Sequence, residues 1–277
     1  MTNREVSIEI SGIPVRGRSA AGLETCFRLP TLRSALEAGR GPEELVAIPN
    51  LFVTHGHLDH CAGVATYASQ RTLQGLSGGR VFVPAETLAD YEALIALHLR
   101  LEGFDRYSAR LIGVSPGDRV EIRSDLVVQV FRGSHRVATA GYTFKERKRK
   151  LRPEFLEASG DEIARLRDRG VEIAEEMEIP ILSYPGDSDE RIFDSAPEIF
   201  AARVLILECT FLRPGEEEKA RSYGHLHLSD IVRRASDFRN DSIVLAHFSA
   251  KYSRDEILTR LSDGLPASLR DRVHPFI

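Results

Sequence analysis

The chain has no tryptophan, two methionines and only three cysteines in 277 residues. Cys26, Cys61 and Cys209 are odd in number and far apart, which excludes a disulfide framework and the paired spacings of a zinc ribbon. A reducing compartment, the cytoplasm, is therefore expected. No run approaches the ~20 apolar residues needed to span a bilayer. The first residues also lack the charged-then-apolar order of a secretory signal, so no membrane partner is expected. Basic excess is missing as well: 37 Lys and Arg against 41 Asp and Glu leave a net charge of −4. Bulk attraction to nucleic acid is thereby excluded, and any such contact must be local. The 42% of hydrophobic residues is enough for a large core. Neither a linker nor a repeat divides residues 1–277, which are expected to form one domain.

Short apolar and β-branched runs at 6–10, 25–29 and 51–54 predict strands, with Gly12, Gly17, Gly22, Gly39 and Gly41 marking turns in an N-terminal meander. Residues 64–73 predict a helix. After a strand at 81–83, Pro84 and Glu86 open a long amphipathic helix carrying Leu88, Tyr91, Leu94, Ile95, His98 and Leu101 at helical spacing. A second β series is expected at 111–114, 120–122, 126–131 and 142–144, followed by a charged insert at 145–178 with a helix near 161–169. Strands at 179–183, 204–207 and 243–246 then alternate with helices at 228–238 and 254–261. Two blocks, each of strands followed by helices, predict an α/β fold in which two mixed sheets pack face to face with helices outside.

The nine histidines are His55, His57, His60, His98, His135, His225, His227, His247 and His274, and most lie where a strand gives way to a loop. A strand end fixes a Cα while leaving the side chain free to face a cleft, so several such ends on one edge can converge ligands. In His55-Gly56-His57-Leu58-Asp59-His60 the first two imidazoles project to one side, because an extended chain has a side-chain period of two. Asp59 and His60 then continue into the first turn of a helix. Imidazole and carboxylate suit zinc or a similar divalent ion, and two ions about 3.5–4 Å apart can share a bridging carboxylate. His135, Asp187 and His247 each stand at a further strand end, and their joint occurrence after the His-rich segment makes them candidate ligands. His98, His274 and Cys61 read instead as structural or solvated residues, and His227 as a helix-entry or sheet-face residue.

The segment 52–60, Ser134-His135 with Ala140-Gly141-Tyr142, Pro185-Gly186-Asp187-Ser188, and Ala246-His247-Phe248-Ser249-Ala250-Lys251-Tyr252 resemble successive motifs of the ribonuclease Z family. These are the tRNA 3′-processing endonucleases of the metallo-β-lactamase superfamily. Gly22-Leu23-Glu24-Thr25-Cys26, Gly39-Arg40, Val171-Glu172-Ile173 and Gly224-His225-Leu226-His227-Leu228-Ser229 are similar to the family's short, plant-like form. The resemblance implies the αβ/βα sandwich of that superfamily and a two-metal site. By it, His55, His57 and His135 hold one ion, Asp59, His60 and His247 the other, and Asp187 bridges. It further implies that Asp59 takes the proton of the attacking water, that His225 is the general acid for the departing ribose 3′-oxygen, and that Glu208 orients it. Such a proton donor is typically worth roughly 10²–10⁴-fold. The implied substrate is precursor tRNA and the implied assembly a homodimer. Two divalent ions are implied as cofactors, zinc first, with manganese or iron left open.

Some positions depart from the family pattern. Glu37 stands where Asp is usual, Ser188 where Thr is, Lys251 where Arg is and Leu207 where His is. The Gly-Pro motif of the family's long tRNA-gripping arm is not found in the insert. Lys145, Arg147, Lys148, Arg149, Lys150 and Arg152 form a local basic cluster there instead. Lys148 and Arg149, with Lys251, are the candidate phosphate contacts. Because the same metal motif serves other reactions, the alternative is a metallo-hydrolase of small or non-tRNA phosphodiesters or of another ester. The complete ligand set speaks against a metal-binding protein that has lost catalysis.

Overall fold

A computed structural model describes residues 5–277. Among them, fourteen strands form two seven-stranded sheets. The first runs, in spatial order, β1 (Val6–Ile10), β2 (Ile13–Ala20), β3 (Glu24–Leu29), β4 (Ser34–Leu36), β5 (Asn50–Phe52), β6 (Gly79–Pro84) and β7 (Ala109–Val114). It is antiparallel up to β4 and parallel from β4 onward. The second runs β8 (Arg119–Arg123), β9 (Leu126–Arg132), β10 (Ala140–Leu151), β11 (Ala174–Tyr184), β12 (Val204–Glu208), β13 (Ser242–Ala246) and β14 (Val273–Pro275), antiparallel up to β11 and parallel beyond. Both halves thus follow one plan, antiparallel hairpins and then parallel crossovers.

Helices α1 (Leu58–Cys61), α2 (Val64–Leu73) and α3 (Leu88–Glu102) follow the strands of the first sheet, and α4 (Gly160–Asp168) belongs to the insert. Helices α5 (Ile192–Ser195), α6 (Glu217–Tyr223), α7 (Leu228–Arg233), α8 (Arg254–Gly264) and α9 (Ala267–Arg270) accompany the second. The central parallel strands read as continuous apolar runs because both of their faces are buried. Phe82, Val204, Ile206 and Val244 join the core between the sheets, while their neighbours Val81, Val83, Leu205, Leu207, Ile243 and Leu245 pack under helices. Between the sheets Phe52 stacks on Phe82 at 4.6 Å and meets Tyr142 and Phe144 of the opposite sheet at 5.0 and 5.6 Å. The result is the expected αβ/βα sandwich.

The expected elements at 6–10 and 64–73 coincide with β1 and α2. The sequence pattern predicts no strand at β2, β4 or β14. Gly17 hides β2: it reads as a turn but lies within the strand, where a Cβ would stand 1.8 Å from the Cys26 carbonyl oxygen. The glycine admits a close backbone neighbour rather than a bend. The pattern also groups 111–114 with the second β series, whereas β7 pairs in parallel with β6 from Gly79↔Ala109 to Pro84↔Val114 and closes the first sheet. Strand, helix and parallel strand make a crossover unit through α3, and periodicity does not say which sheet a strand joins.

In the insert the basic cluster is strand rather than loop. Strand β11 sets Glu178, Glu176 and Glu175 opposite Arg147, Arg149 and Lys150 of β10. Opposite charges across neighbouring strands contribute roughly 0.2–1 kcal/mol a pair. Because β9 pairs with β10 only as far as Glu146, the paired residues beyond it continue as a two-stranded ribbon. The ribbon leads to α4, whose Ser159 and Glu162 cap each other reciprocally.

Phe52→Ala is expected to lower the unfolding free energy by about 3–5 kcal/mol, since the ring fills space against both sheets. Leu73→Ala, at a side chain that is 61% exposed, is expected to change it by less than about 0.5 kcal/mol. Urea denaturation at matched metal content measures both.

Candidate metal centre

His55 and His57 follow β5, Asp59 and His60 lie in α1, His135 lies in the connection from β9 to β10, Asp187 follows β11, and His247 follows β13. Sheets with parallel strands offer ligand sites just outside the carboxyl ends of those strands. The two halves are tied together at this edge. The Ala140 N–H donates to the Thr54 carbonyl at 3.0 Å, the Tyr142 hydroxyl to the Val53 carbonyl at 2.8 Å, and the Ala21 N–H to the Phe248 carbonyl at 3.1 Å.

All seven expected ligands come together in two triads and a link. His55 Nε2 lies 3.0 Å from His57 Nδ1, which lies 3.4 Å from His135 Nε2. His60 Nε2 lies 3.2 Å from His247 Nε2 and 3.6 Å from Asp59 Oδ2, and His247 Nε2 is 3.3 Å from that oxygen. Asp187 stands between the triads, with Oδ2 3.7 Å from His55 Nε2 and Oδ1 3.3 Å from His60 Nε2. Two ligands each about 2.0–2.1 Å from a tetrahedral zinc ion stand about 3.3–3.4 Å apart, close to the spacing in both triads.

The lone pairs that would meet an ion are set from behind. Thr54 Oγ1 gives its single proton to Glu37 Oε1 at 2.5 Å, so it accepts from His55 Nδ1 at 2.9 Å and leaves His55 Nε2 unprotonated. His247 is treated alike: Thr210 Oγ1 donates to Glu208 Oε2 at 2.6 Å and accepts from His247 Nδ1 at 3.0 Å. His135 Nδ1 donates to the Gly224 carbonyl at 2.8 Å, and His60 Nδ1 lies 3.2 Å from Glu37 Oε1. Three imidazoles, those of His55, His135 and His247, thus turn an Nε2 lone pair toward the centre. Burial works against charge on Asp59 and Asp187, but the neighbouring imidazoles of His247 and His60 outweigh it and hold both carboxyls well below the usual range. Convergent lone pairs together with two ionised carboxylates form a donor set that fits two divalent cations.

Backbone strain gathers here too. His247 and Glu37 take left-handed φ values of 57° and 62°, a conformation that persists only where the surroundings over-determine it. The His247 N–H donates to Ser19 Oγ at 2.9 Å, and the Glu37 N–H to the Phe52 carbonyl at 2.8 Å. Gly186, at φ 72°, precedes Asp187, and a Cβ there would meet Thr54 Oγ1 at 2.5 Å. Glycine at this position lets the Asp187 loop pass over the hydroxyl that orients His55.

His225 joins the rim of the cluster, with its ring 5.3 Å from that of His135 and 5.5 Å from that of His247. Its Nδ1 donates to Glu208 Oε1 at 2.9 Å. Burial alone would lower its pKa, but the charge and hydrogen bond of Glu208 and the charge of Asp187 raise it to about 9. Glu208 also accepts from the Ser188 and Thr210 N–H groups at 2.9 and 3.0 Å. His227 caps α7 and donates from Nε2 to the Arg213 carbonyl at 3.0 Å, a helix-entry residue. The Cys61 thiol is buried and donates to the Gly56 carbonyl. Lys148 lies on the ribbon 3.0 Å from Glu146, Arg149 stands opposite Glu176, and Lys251, in the loop after His247, pairs with Glu216. The Thr54 and Thr210 hydroxyls and the Gly22 N–H, which donates to Asp59 Oδ2 at 2.8 Å, belong to the site although residue type alone does not single them out. Thr54 carries one signal, its place directly before His55.

Residues 21–152 match the family described as Beta-lactamase superfamily domain. The chain is 36% identical over 273 residues to tRNase Z TRZ1 of Arabidopsis thaliana, covering 98% of this chain and 97% of that one. It is 33% identical over 253 residues to the chloroplastic tRNase Z TRZ2 of the same plant, covering 90% and 71%. The structure of the human tRNase Z short form superposes with a TM-score of 0.63 over 94% of this chain and 95% of that one, at 17% identity. The metallo-β-lactamase fold protein YhfI of Bacillus subtilis gives 0.61 over 98% and 95%, at 13% identity. At such identities the structural likeness shows the fold, whereas 36% identity along nearly the whole of both chains shows kinship. This chain belongs to the tRNase Z, or ribonuclease Z, family of metal-dependent hydrolases built on the metallo-β-lactamase fold.

Proposed function

We propose that this protein is an endoribonuclease that removes 3′ trailers from precursor tRNA, cutting after the discriminator region and leaving a 3′-hydroxyl on the tRNA. The observation that carries this reading is the His225–Glu208 pair, joined at 2.9 Å on the rim of the ligand cluster. A ribose 3′-oxygen departs poorly as an alkoxide, and an imidazole held by a carboxylate is suited to protonate it. In this reading His55, His57 and His135 hold one ion, Asp59, His60 and His247 the other, and Asp187 both. Two divalent ions, zinc by the nitrogen-rich donor set, supply an acidified water and positive charge opposite the phosphoryl oxygens when bound. Asp59 takes up the proton of the attacking water. His225 gives a proton to the departing 3′-oxygen while Glu208 holds its Nδ1–H. Lys148 and Arg149 on the ribbon and Lys251 beside the site contact substrate phosphates.

The setting is cytoplasmic, a reading supported by three free, buried cysteines. Among the described residues no helix is long and apolar enough to cross a membrane. The assembly is a homodimer, supported by α3, whose Leu94, Leu97 and Leu101 lie at helical spacing and are 38%, 45% and 74% exposed.

Zinc-loaded protein is expected to cut a precursor tRNA at the trailer junction with a higher kcat/KM than it shows toward an aryl phosphodiester. Turnover of the aryl ester alone would remove tRNA from the reading. Asp187→Ala should strip or scramble both ions, because its two oxygens serve two triads, whereas His135→Ala should weaken chiefly one. Elemental analysis of the purified variants decides this, and equal small losses in both would argue against a bridge. His225→Ala should retain its metal while cleavage of precursor tRNA falls by roughly 10²-fold or more. An aryl ester, whose phenolate leaves without protonation, should show a much smaller deficit. Equal deficits on the two substrates would assign His225 to positioning.

A further inference from the structure

Beside His225 lies a surface that proton transfer and metal binding do not use. Tyr223, the last residue of α6, is 50% exposed. The Arg136 guanidinium and Lys219 Nζ each lie 5.9 Å from the centre of its ring, and both of these side chains are exposed. Lys219 also lies 5.8 Å from the centre of the Phe211 ring, which is buried and 6.2 Å from the His225 ring. Among the described residues neither Arg136 nor Lys219 forms an ion pair, whereas nearby Lys251 is engaged with Glu216.

The patch is held in register with the catalytic groups. Tyr223 is linked to His225 through Gly224, whose carbonyl accepts from His135 Nδ1 at 2.8 Å. Arg136 follows His135 directly and donates to the Ser222 carbonyl at 3.4 Å. An exposed ring flanked by unpaired cations suits a single-stranded nucleotide, with the base stacking on the ring and the cations meeting phosphates. Position selects which nucleotide. His225 serves the oxygen that departs, which is the 3′-oxygen of the nucleotide on the 5′ side of the cut. The base carried by that same ribose is the one placed nearest a ring on the adjoining turn.

Building on the tRNA 3′-processing reading, we infer that Tyr223 stacks the base of the nucleotide whose 3′-oxygen leaves, with Arg136 and Lys219 contacting the flanking phosphates. The ring selects for an unpaired nucleotide at that position, because a base held in a duplex does not present its face. Tyr223 therefore acts on substrate affinity rather than on bond breaking.

Precursor tRNAs with an abasic residue on either side of the scissile phosphate test this with the zinc-loaded protein. Tyr223→Ala is expected to raise KM for the normal precursor on the order of 10-fold, with the loss in KM rather than in kcat. Tyr223→Phe, which keeps the ring, should restore most of the affinity. An abasic residue 5′ of the cut should cost the wild type a similar factor and cost Tyr223→Ala little more, whereas one 3′ of the cut should affect both proteins alike. If the effects of Tyr223→Ala and the 5′ abasic residue simply multiply, the stacking contact does not exist. A loss confined to kcat and shared by the base-free aryl ester would make Tyr223 a packing residue for His225. Wild-type protein that hydrolyses the aryl ester but no precursor tRNA would overturn the tRNA reading, and the stacking inference with it.

Discussion

Two buried carboxylates, each with a threonine hydroxyl bound to it, hold this site in its working chemical form. Glu37 receives the Thr54 proton and Glu208 the Thr210 proton, and in each case the hydroxyl is left able only to accept. His55 and His247 must then donate from Nδ1, which frees Nε2 as a lone pair in each triad. Both carboxylates are almost wholly withdrawn from solvent, where an unpaired charge is severely unfavourable. Their oxygens are accordingly occupied: Glu37 by the Thr54 N–H and hydroxyl with His60 alongside, and Glu208 by two backbone N–H groups, Thr210 and His225. The same Glu208 thus orients two imidazoles, His247 through the Thr210 hydroxyl and His225 directly.

The sandwich places one such pair in each half of the chain. Glu37 and Thr54 sit beyond β4 and β5 of the first sheet, and Glu208 and Thr210 lie at and beyond the end of β12 in the second. Because both sheets end their parallel strands at a common edge, loops from the two halves meet there and supply one cluster of ligands. The aromatic contacts between sheets, Phe52 with Tyr142 and Phe144, lie on the strands that lead into that edge. Packing of the core and spacing of the ligands are therefore a single constraint. The left-handed turns at Glu37 and His247 are where the chain bends sharply enough to satisfy it.

A protein with net charge −4 handles its basic residues economically. On the ribbon the Lys and Arg side chains of β10 face a strand rich in glutamate, and Arg147 alone contacts Glu121, Glu176 and Glu178. These charges stabilise the ribbon and have correspondingly less free field to offer a polyanion. Arg136 and Lys219, beside the catalytic rim, are exposed and outside any ion pair among the described residues. An acidic body with local cations outside ion pairs concentrates its free positive charge at one edge of the sheets rather than over the whole surface.

The ligand motif was legible in the sequence because His55, His57, Asp59 and His60 converge through local geometry, strand period followed by a helical turn. The central strands were legible because burial on both faces leaves unbroken apolar runs such as those of β12 and β13. Strand β2 was not, since Gly17 serves a close backbone approach that only its neighbour β3 reveals, and neither was the sheet that β7 joins. The ribbon was hidden for a related reason: basic and acidic runs more than twenty residues apart resemble solvated loops until strand register sets them opposite. Tautomers, the Glu37–Thr54 and Glu208–Thr210 pairs and the Tyr223 platform likewise depend on which elements pack together. Spacing along the chain determined which side chains could bind metal. Only the meeting of the two sheets decided which of their nitrogens carry protons, because a hydrogen atom's position is set by a partner from another part of the chain.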